Sequence, residues 1–141
     1  MKKIALLTAA AFLFSVAAMA QVKPDEVIKV NTEKYDFGKI KQSVPVTYSF
    51  EITNISKKPV VVENSRASCG CTTPEKIVDP IAPGQTTKLK VQYNAGALGV
   101  FNKEVFVKIA GVDDEKKLFI GGEVLDAAAY DQWIKSKGKG K

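Results

Sequence analysis

The chain has 141 residues, 21 basic against 15 acidic, with two cysteines and no histidine. The absence of histidine excludes the Ser-His-Asp and Cys-His constellations, and with them the common hydrolase mechanisms. The length allows one domain with its own core and is too short for two ordinary ones.

Met1, Lys2 and Lys3 give a positive start, Ile4 to Val16 is an almost wholly apolar run, and Ala18-Met19-Ala20 supplies small residues before Gln21. Residues 1–20 therefore read as a secretory signal peptide, with the mature chain starting at Gln21. The apolar run is shorter than the roughly 20 residues a helix needs to cross the hydrocarbon core. No cysteine stands at the cleavage point to carry a lipid. The expectation is a soluble periplasmic or extracellular protein without stable membrane insertion. Lys2 and Lys3 leave with the leader, so 19 basic residues against 15 acidic give the mature chain +4. Lys135, Lys137, Lys139 and Lys141 alternate with small residues in the last seven positions, so much of this charge sits on the tail. Nucleic-acid binding would want a basic stripe with interleaved aromatics on a folded face, and is set aside.

Residues 21–29 read as a linker. A first extended segment starts near Val27 and ends at Tyr35-Asp36-Phe37-Gly38, with a turn expected at Gly38. In Val44 to Asn54, Val46, Tyr48, Phe50 and Ile52 fall on one face and Thr47, Ser49, Glu51 and Thr53 on the other, the period of a half-buried strand. Asn54 to Pro59 carries turn residues, so Val60 to Val62 is expected to return as the second strand of a hairpin. Ile81-Ala82-Pro83-Gly84-Gln85 is a further turn signal. Alternation resumes with Leu89, Val91 and Tyr93, continues with Val105, Val107 and Ile109, passes a turn at Asp113-Asp114, and closes with Leu118 to Val124. Gly121-Gly122, inside that last strand, marks a bulge or a close backbone approach. Tyr35, Phe37, Tyr48, Phe50, Phe101, Phe106 and Phe119 are assigned to the core.

About seven short strands over residues 30–125 predict an all-β fold, an immunoglobulin-like antiparallel β-sandwich, with a barrel as the alternative. Over residues 126–141, Asp126 is placed to cap one or two helical turns, followed by a disordered basic end. Trp133 would either dock this short helix on the sandwich or stand exposed as a partner anchor.

Both cysteines lie in Ser68-Cys69-Gly70-Cys71-Thr72-Thr73-Pro74. In a regular strand Cys69 and Cys71 would project to one side with Cα atoms near the upper limit for a disulfide, and Gly70 permits a tighter bend. Four readings follow: a structural pair that pins a strand end, a redox-active disulfide, a two-thiolate Cu(I) site, and an intermolecular bridge. Two soft ligands are too few for a four-coordinate zinc cage. A Cys-x-x-Cys at a helix N-terminus, the usual thiol-oxidoreductase arrangement, is absent. Arg66, the only arginine, is either a solvated loop charge or a stabiliser of a nearby thiolate. The carboxylate pairs Asp25-Glu26 and Asp113-Asp114 sit in an expected linker and turn, which favours solvated acids over a glycosidase pair.

Phe37-Gly38, the strand to Asn54, Ser68-Cys69-Gly70-Cys71-Thr72 with Pro74, Ile81-Ala82-Pro83-Gly84 and Gly121-Gly122-Glu123-Val124 together resemble the family called domain of unknown function 1573, over roughly residues 30–124. The resemblance implies a module similar to immunoglobulin-like, PapD-like and major-sperm-protein-like domains, exported by Gram-negative bacteria, particularly Bacteroidetes. It marks Cys69, Gly70 and Cys71 as hallmark positions and brings no activity with it. The leading expectation is a non-catalytic binding or structural module for an unidentified protein or envelope component. The alternative is a thiol function, disulfide exchange or copper handling, on Cys69 and Cys71.

Overall fold

The computed structural model describes residues 21–138; the signal peptide read at 1–20 lies outside the described residues. Among the described residues eight strands form two four-stranded sheets. One sheet has the order β1 (Ile28–Val30), β3 (Val46–Asn54), β6 (Thr86–Tyr93) and β5 (Thr72–Pro74). The other has the order β2 (Lys34–Lys41), β8 (Lys116–Leu125), β7 (Gly99–Ile109) and β4 (Val62–Ala67). Among the described residues two helices flank them, the four-residue α1 (Pro24–Val27) and α2 (Ala127–Gly138). Among the described residues β2 and β8 pair parallel and every other strand pair is antiparallel.

The alternation read in the sequence builds the core. Phe50 and Ile52 of β3, with Leu89, Val91 and Tyr93 of β6, face Val105, Val107 and Ile109 of β7 and Leu118, Ile120 and Val124 of β8, all buried. Each large side chain withdrawn from water this way contributes on the order of 1.5–3 kcal/mol. At one end the layers meet through aromatic rings: Tyr35 stacks on Tyr48 at 3.6 Å and Tyr93 on Phe101 at 4.0 Å. Phe106 and Phe119, expected in the core, sit at the opposite phase of their strands and are half-exposed on the outer face. Phe106 is covered there by the Arg66 guanidinium, 4.1 Å above the ring, which also pairs with Glu115 at 2.6 Å.

Several local expectations are corrected. Gly38 is not a turn. It lies inside β2 with φ 67°, where the pairing with β8 shifts register between Asp36 and Lys39. This bulge lets Tyr35, Phe37 and Ile40 all point inward, and the Asp36 carboxylate accepts the Gly38 N–H at 2.7 Å. The expected hairpin after β3 is a crossing between sheets. Val60 makes an isolated bridge to Ile81, and β4 begins at Val62 beside β7. Buried Asn54 directs this path, donating to the carbonyls of Lys58 and Ile81, both at 2.7 Å, and accepting from Ser56 N–H at 2.8 Å. The segment read as linker contains α1 and the start of β1, where Ile28 is 1% exposed. Asp126 caps α2, its carboxylate accepting the Ala129 N–H at 2.8 Å. The helix is longer than the one or two turns expected and takes in Lys135 and Lys137, which the sequence placed in a disordered end.

Candidate functional site

Residues 68–71 form the corner at which the chain leaves the edge of one sheet, β4, and enters the edge of the other, β5. Ser68 N–H donates to the Glu104 carbonyl at 2.9 Å and Asn94 N–H to the Cys71 carbonyl at 3.0 Å, so both ends of the corner are tied to neighbouring strands. Cys69 and Cys71 are bonded to each other, with Cα atoms 5.3 Å apart. The corner bends more tightly than a strand and brings the two Cα atoms well inside the span disulfides use. Buried Thr72 lies beneath, its Oγ1 3.8 Å from Cys69 Sγ and 3.9 Å from Cys71 Sγ. Both cysteines are half-buried and Gly70 is exposed at the tip.

Gly70 has no positive φ, and a Cβ built on it meets nothing within 4 Å. Neither backbone strain nor crowding within the chain requires glycine there. Gly70→Ala is therefore expected to change stability by no more than about 0.5 kcal/mol in urea unfolding. Arg66 does not serve the cysteines, being engaged with Phe106 and Glu115 on the outer face.

A second feature lies at the other side of the same sheet. β1 covers only Ile52 to Asn54 of β3. Backbone N–H and C=O groups alternate sides along a strand. On β3 the odd positions face β1, since the Glu51 carbonyl accepts Asn31 N–H and Ile55 N–H donates to Val27, both at 3.0 Å. The even positions face β6, as Asn54 N–H donating to Gln85 at 2.9 Å shows. The backbone groups of Thr47 and Ser49 therefore point out of the sheet, and among the described residues no strand pairs with them. The Asn31 side chain closes off β1, accepting Glu51 N–H at 2.9 Å and donating to Tyr48 Oη at 3.0 Å.

Other edges carry devices that discourage pairing. β1 and β5 have three residues each, and β5 ends in Pro74. β2 and β4 contain register shifts, and β2 also carries Lys34, Lys39 and Lys41. The half of β6 that β5 leaves uncovered presents Lys88. The Val46 to Ser49 stretch has no charge and no bulge.

In a groove lined by Asp25, Glu33, Asp114 and Glu115, three of the four carboxylates are held in ion pairs, Asp25 and Glu33 with Lys116 and Glu115 with Arg66. A groove of about 420 Å³ on the outer face holds Asp36 and Glu123. Asp36 is held by the Gly38 N–H, and Glu123 lies 3.7 Å from the Lys39 ammonium. Asp25 belongs to a cluster that the sequence reading missed. Lys116, 5% exposed, places its ammonium between Asp25 and Glu33, which ties α1 to the sandwich. Burial alone would lower the Lys116 pKa, but the hydrogen bonds and charges of Asp25 and Glu33 outweigh it and hold it above the usual lysine value. Burial also raises the Tyr93 pKa. A raised folded-state pKa gives stability that is complete below the unfolded value and is lost as pH rises through the folded one. The unfolded values are about 10 for tyrosine and 10.4 for lysine, so the urea midpoint is expected to fall above about pH 10. Lys116→Met should flatten part of that decline.

Trp133 lies on α2, which has no buried residue and is joined to the sandwich by Lys41–Asp131 at 3.3 Å. No helix among the described residues is long and apolar enough to cross a membrane.

Similar folds occur in proteins of human and bacterial origin. A PapD-like domain of human CEP192 has a TM-score of 0.63 at 9% identity, over 81% of this chain and 96% of that one. A protein of unknown function from Porphyromonas gingivalis has a TM-score of 0.59 at 13% identity, over 69% of this chain and 46% of that one. The VesB protease of Vibrio cholerae has a TM-score of 0.55 at 15% identity, over 72% of this chain and 33% of that one. The chain thus spans about half the length of the Porphyromonas protein and a third of the protease. At these identities the likeness is one of fold alone. No curated protein sequence matches the chain. The family model described as protein of unknown function (DUF1573) matches residues 28–124, a span that runs from the first residue of β1 through the cysteine corner to the penultimate residue of β8, and the chain belongs to that family.

Proposed function

We propose that the chain is an exported, non-catalytic binding module that holds an extended segment of a partner protein beside β3. The observation that carries this reading is the uncovered backbone of Thr47 and Ser49, a template for main-chain hydrogen bonds to an added strand. The lack of histidine and the engagement of Asp36 and Glu123 support a role without catalysis.

Proline at position 49 tests it, because the Ser49 N–H points away from β6 and the substitution removes no bond within the sheet. Ser49→Pro should keep the fold and lose partner capture. A photo-cross-linker at position 47 should capture a protein in cells, one at position 108 on the other sheet should not, and Ser49→Pro should abolish the capture. In the complex the Thr47 and Ser49 amides should become protected from hydrogen exchange. Fast exchange of both amides in the presence of the captured partner would count against the proposal.

A second reading rests on the exposed tip at Gly70, which leaves the half-buried Cys69–Cys71 bridge open to approach by a thiol. When reduced, the pair would offer two thiolates, a donor set that suits Cu(I). Because the closed loop is tiny, its loss should cost only about 1.6 kcal/mol, so Cys69→Ser/Cys71→Ser should still fold. Intact mass and free-thiol titration of exported protein, with and without copper, separate the readings. A folded double mutant that still captures its partner favours the strand site. One that loses copper retention or thiol exchange favours the cysteines.

A further inference from the structure

We propose that α2 is a peripheral contact for an anionic lipid surface. The inference is independent of the β3 edge and starts from a helix the sandwich does not use. At 3.6 residues per turn, Tyr130, Trp133, Ile134 and Lys137 share one face. The Tyr130 and Trp133 rings lie 5.6 Å apart, and Lys137 Nζ sits 4.6 Å from the Trp133 ring centre. Ile134 is 47% exposed. Asp131, which faces Lys41 of β2, is about 100° round the helix from Tyr130. The aromatic face therefore lies to the side of the contact with the sandwich.

Charge selects the occupant. Asp131 is the only acidic residue of α2 and is already paired with Lys41. Lys135 and Lys137 stand in its last turn, and Lys139 and Lys141 follow in the sequence. A soluble polyanion would engage the ammonium groups but gives Ile134 and the indole nothing. A lipid surface takes both: rings with an apolar body and a polar tip settle at headgroup level, and lysine stems lie along the apolar surface with their charges outward. Twelve residues make a helix of about 18 Å, too short for a hydrocarbon core of about 30 Å, so it would lie in the interface plane.

Trp133 is the only tryptophan of the chain, so its fluorescence reads this helix and no other segment. Titration of the purified protein with vesicles of phosphatidylglycerol and phosphatidylcholine in equal parts should shift the emission to the blue and sediment the protein. Pure phosphatidylcholine should produce no shift, and added salt should reverse the binding. Each lysine near an anionic surface is worth about fivefold, so Lys135→Gln/Lys137→Gln should weaken partitioning about 25-fold. Ile134→Asp should abolish the shift. α2 lies outside the core, so these variants should unfold at the wild-type urea concentration. An absent shift on the anionic vesicles, an equal shift on neutral ones, or wild-type partitioning by the double lysine variant would overturn the proposal. Binding to heparin that is as tight as to vesicles and indifferent to Ile134→Asp would overturn it in favour of a soluble polyanion.

Discussion

Phe50→Ala should destabilise the domain by about 3–5 kcal/mol, a large share of the 5–15 kcal/mol that holds a typical domain together. Phe50 is fully buried and pairs with Leu89 in the centre of its sheet. Its ring meets Tyr48 edge-on at 4.9 Å, and Tyr48 in turn carries Tyr35 from the facing sheet. Truncation therefore removes a transfer contribution, leaves a cavity, and loosens one of the aromatic contacts between the layers. Thr47, three residues earlier, is exposed on the opposite face, so Thr47→Ala should cost no more than about 0.5 kcal/mol. Equal losses for the two variants in urea unfolding would show that the facing of β3 is wrong.

That facing was legible because alternation depends only on which side of a strand is dry. The same alternation held more than the core residues. Lys116 shares the phase of Leu118 and Ile120, so a lysine at an inward position already implied a buried cation in need of carboxylates. Asn54 shares the phase of Phe50 and Ile52, and its burial follows. Phe106 and Phe119 stand at the opposite phase, so hydrophobicity alone misplaced them. The sheet to which each strand belongs was not legible, since inward and outward residues alternate alike in either layer. The crossings after Val30, Lys41, Asn54, Ala67 and Tyr93 and the parallel β2–β8 pair depend on long-range contacts that no local pattern records. The cysteine corner was visible as a motif, but its position between two sheet edges was not. The uncovered half of β3 was invisible for a related reason, because it is defined by where β1 stops pairing.

Gly122→Ala should be the most damaging single-methyl addition in the sandwich, at about 3 kcal/mol. A Cβ on Gly122 would stand 2.7 Å from the carbonyl oxygen of Gly38 and 2.9 Å from Cε1 of Phe101. The first contact is with backbone at the β2 bulge, which cannot swing aside as a flexible side chain would. The second is with a ring stacked on Tyr93 at 4.0 Å. Overpacking of this kind typically costs 1–3 kcal/mol, and two rigid neighbours both under 3.0 Å place this case at the upper end. The absent side chain is thus filled by the bulge carbonyl of the neighbouring strand, which is how β2 closes on β8 while keeping Phe37 and Ile40 inward. Relief should come by displacing β2, so the amides that join β2 to β8 should exchange faster in Gly122→Ala while those between β7 and β8 stay protected. Gly70→Ala adds the same methyl group into open space and serves as the control. Equal stability of the two variants would show that β2 does not close on β8 as described.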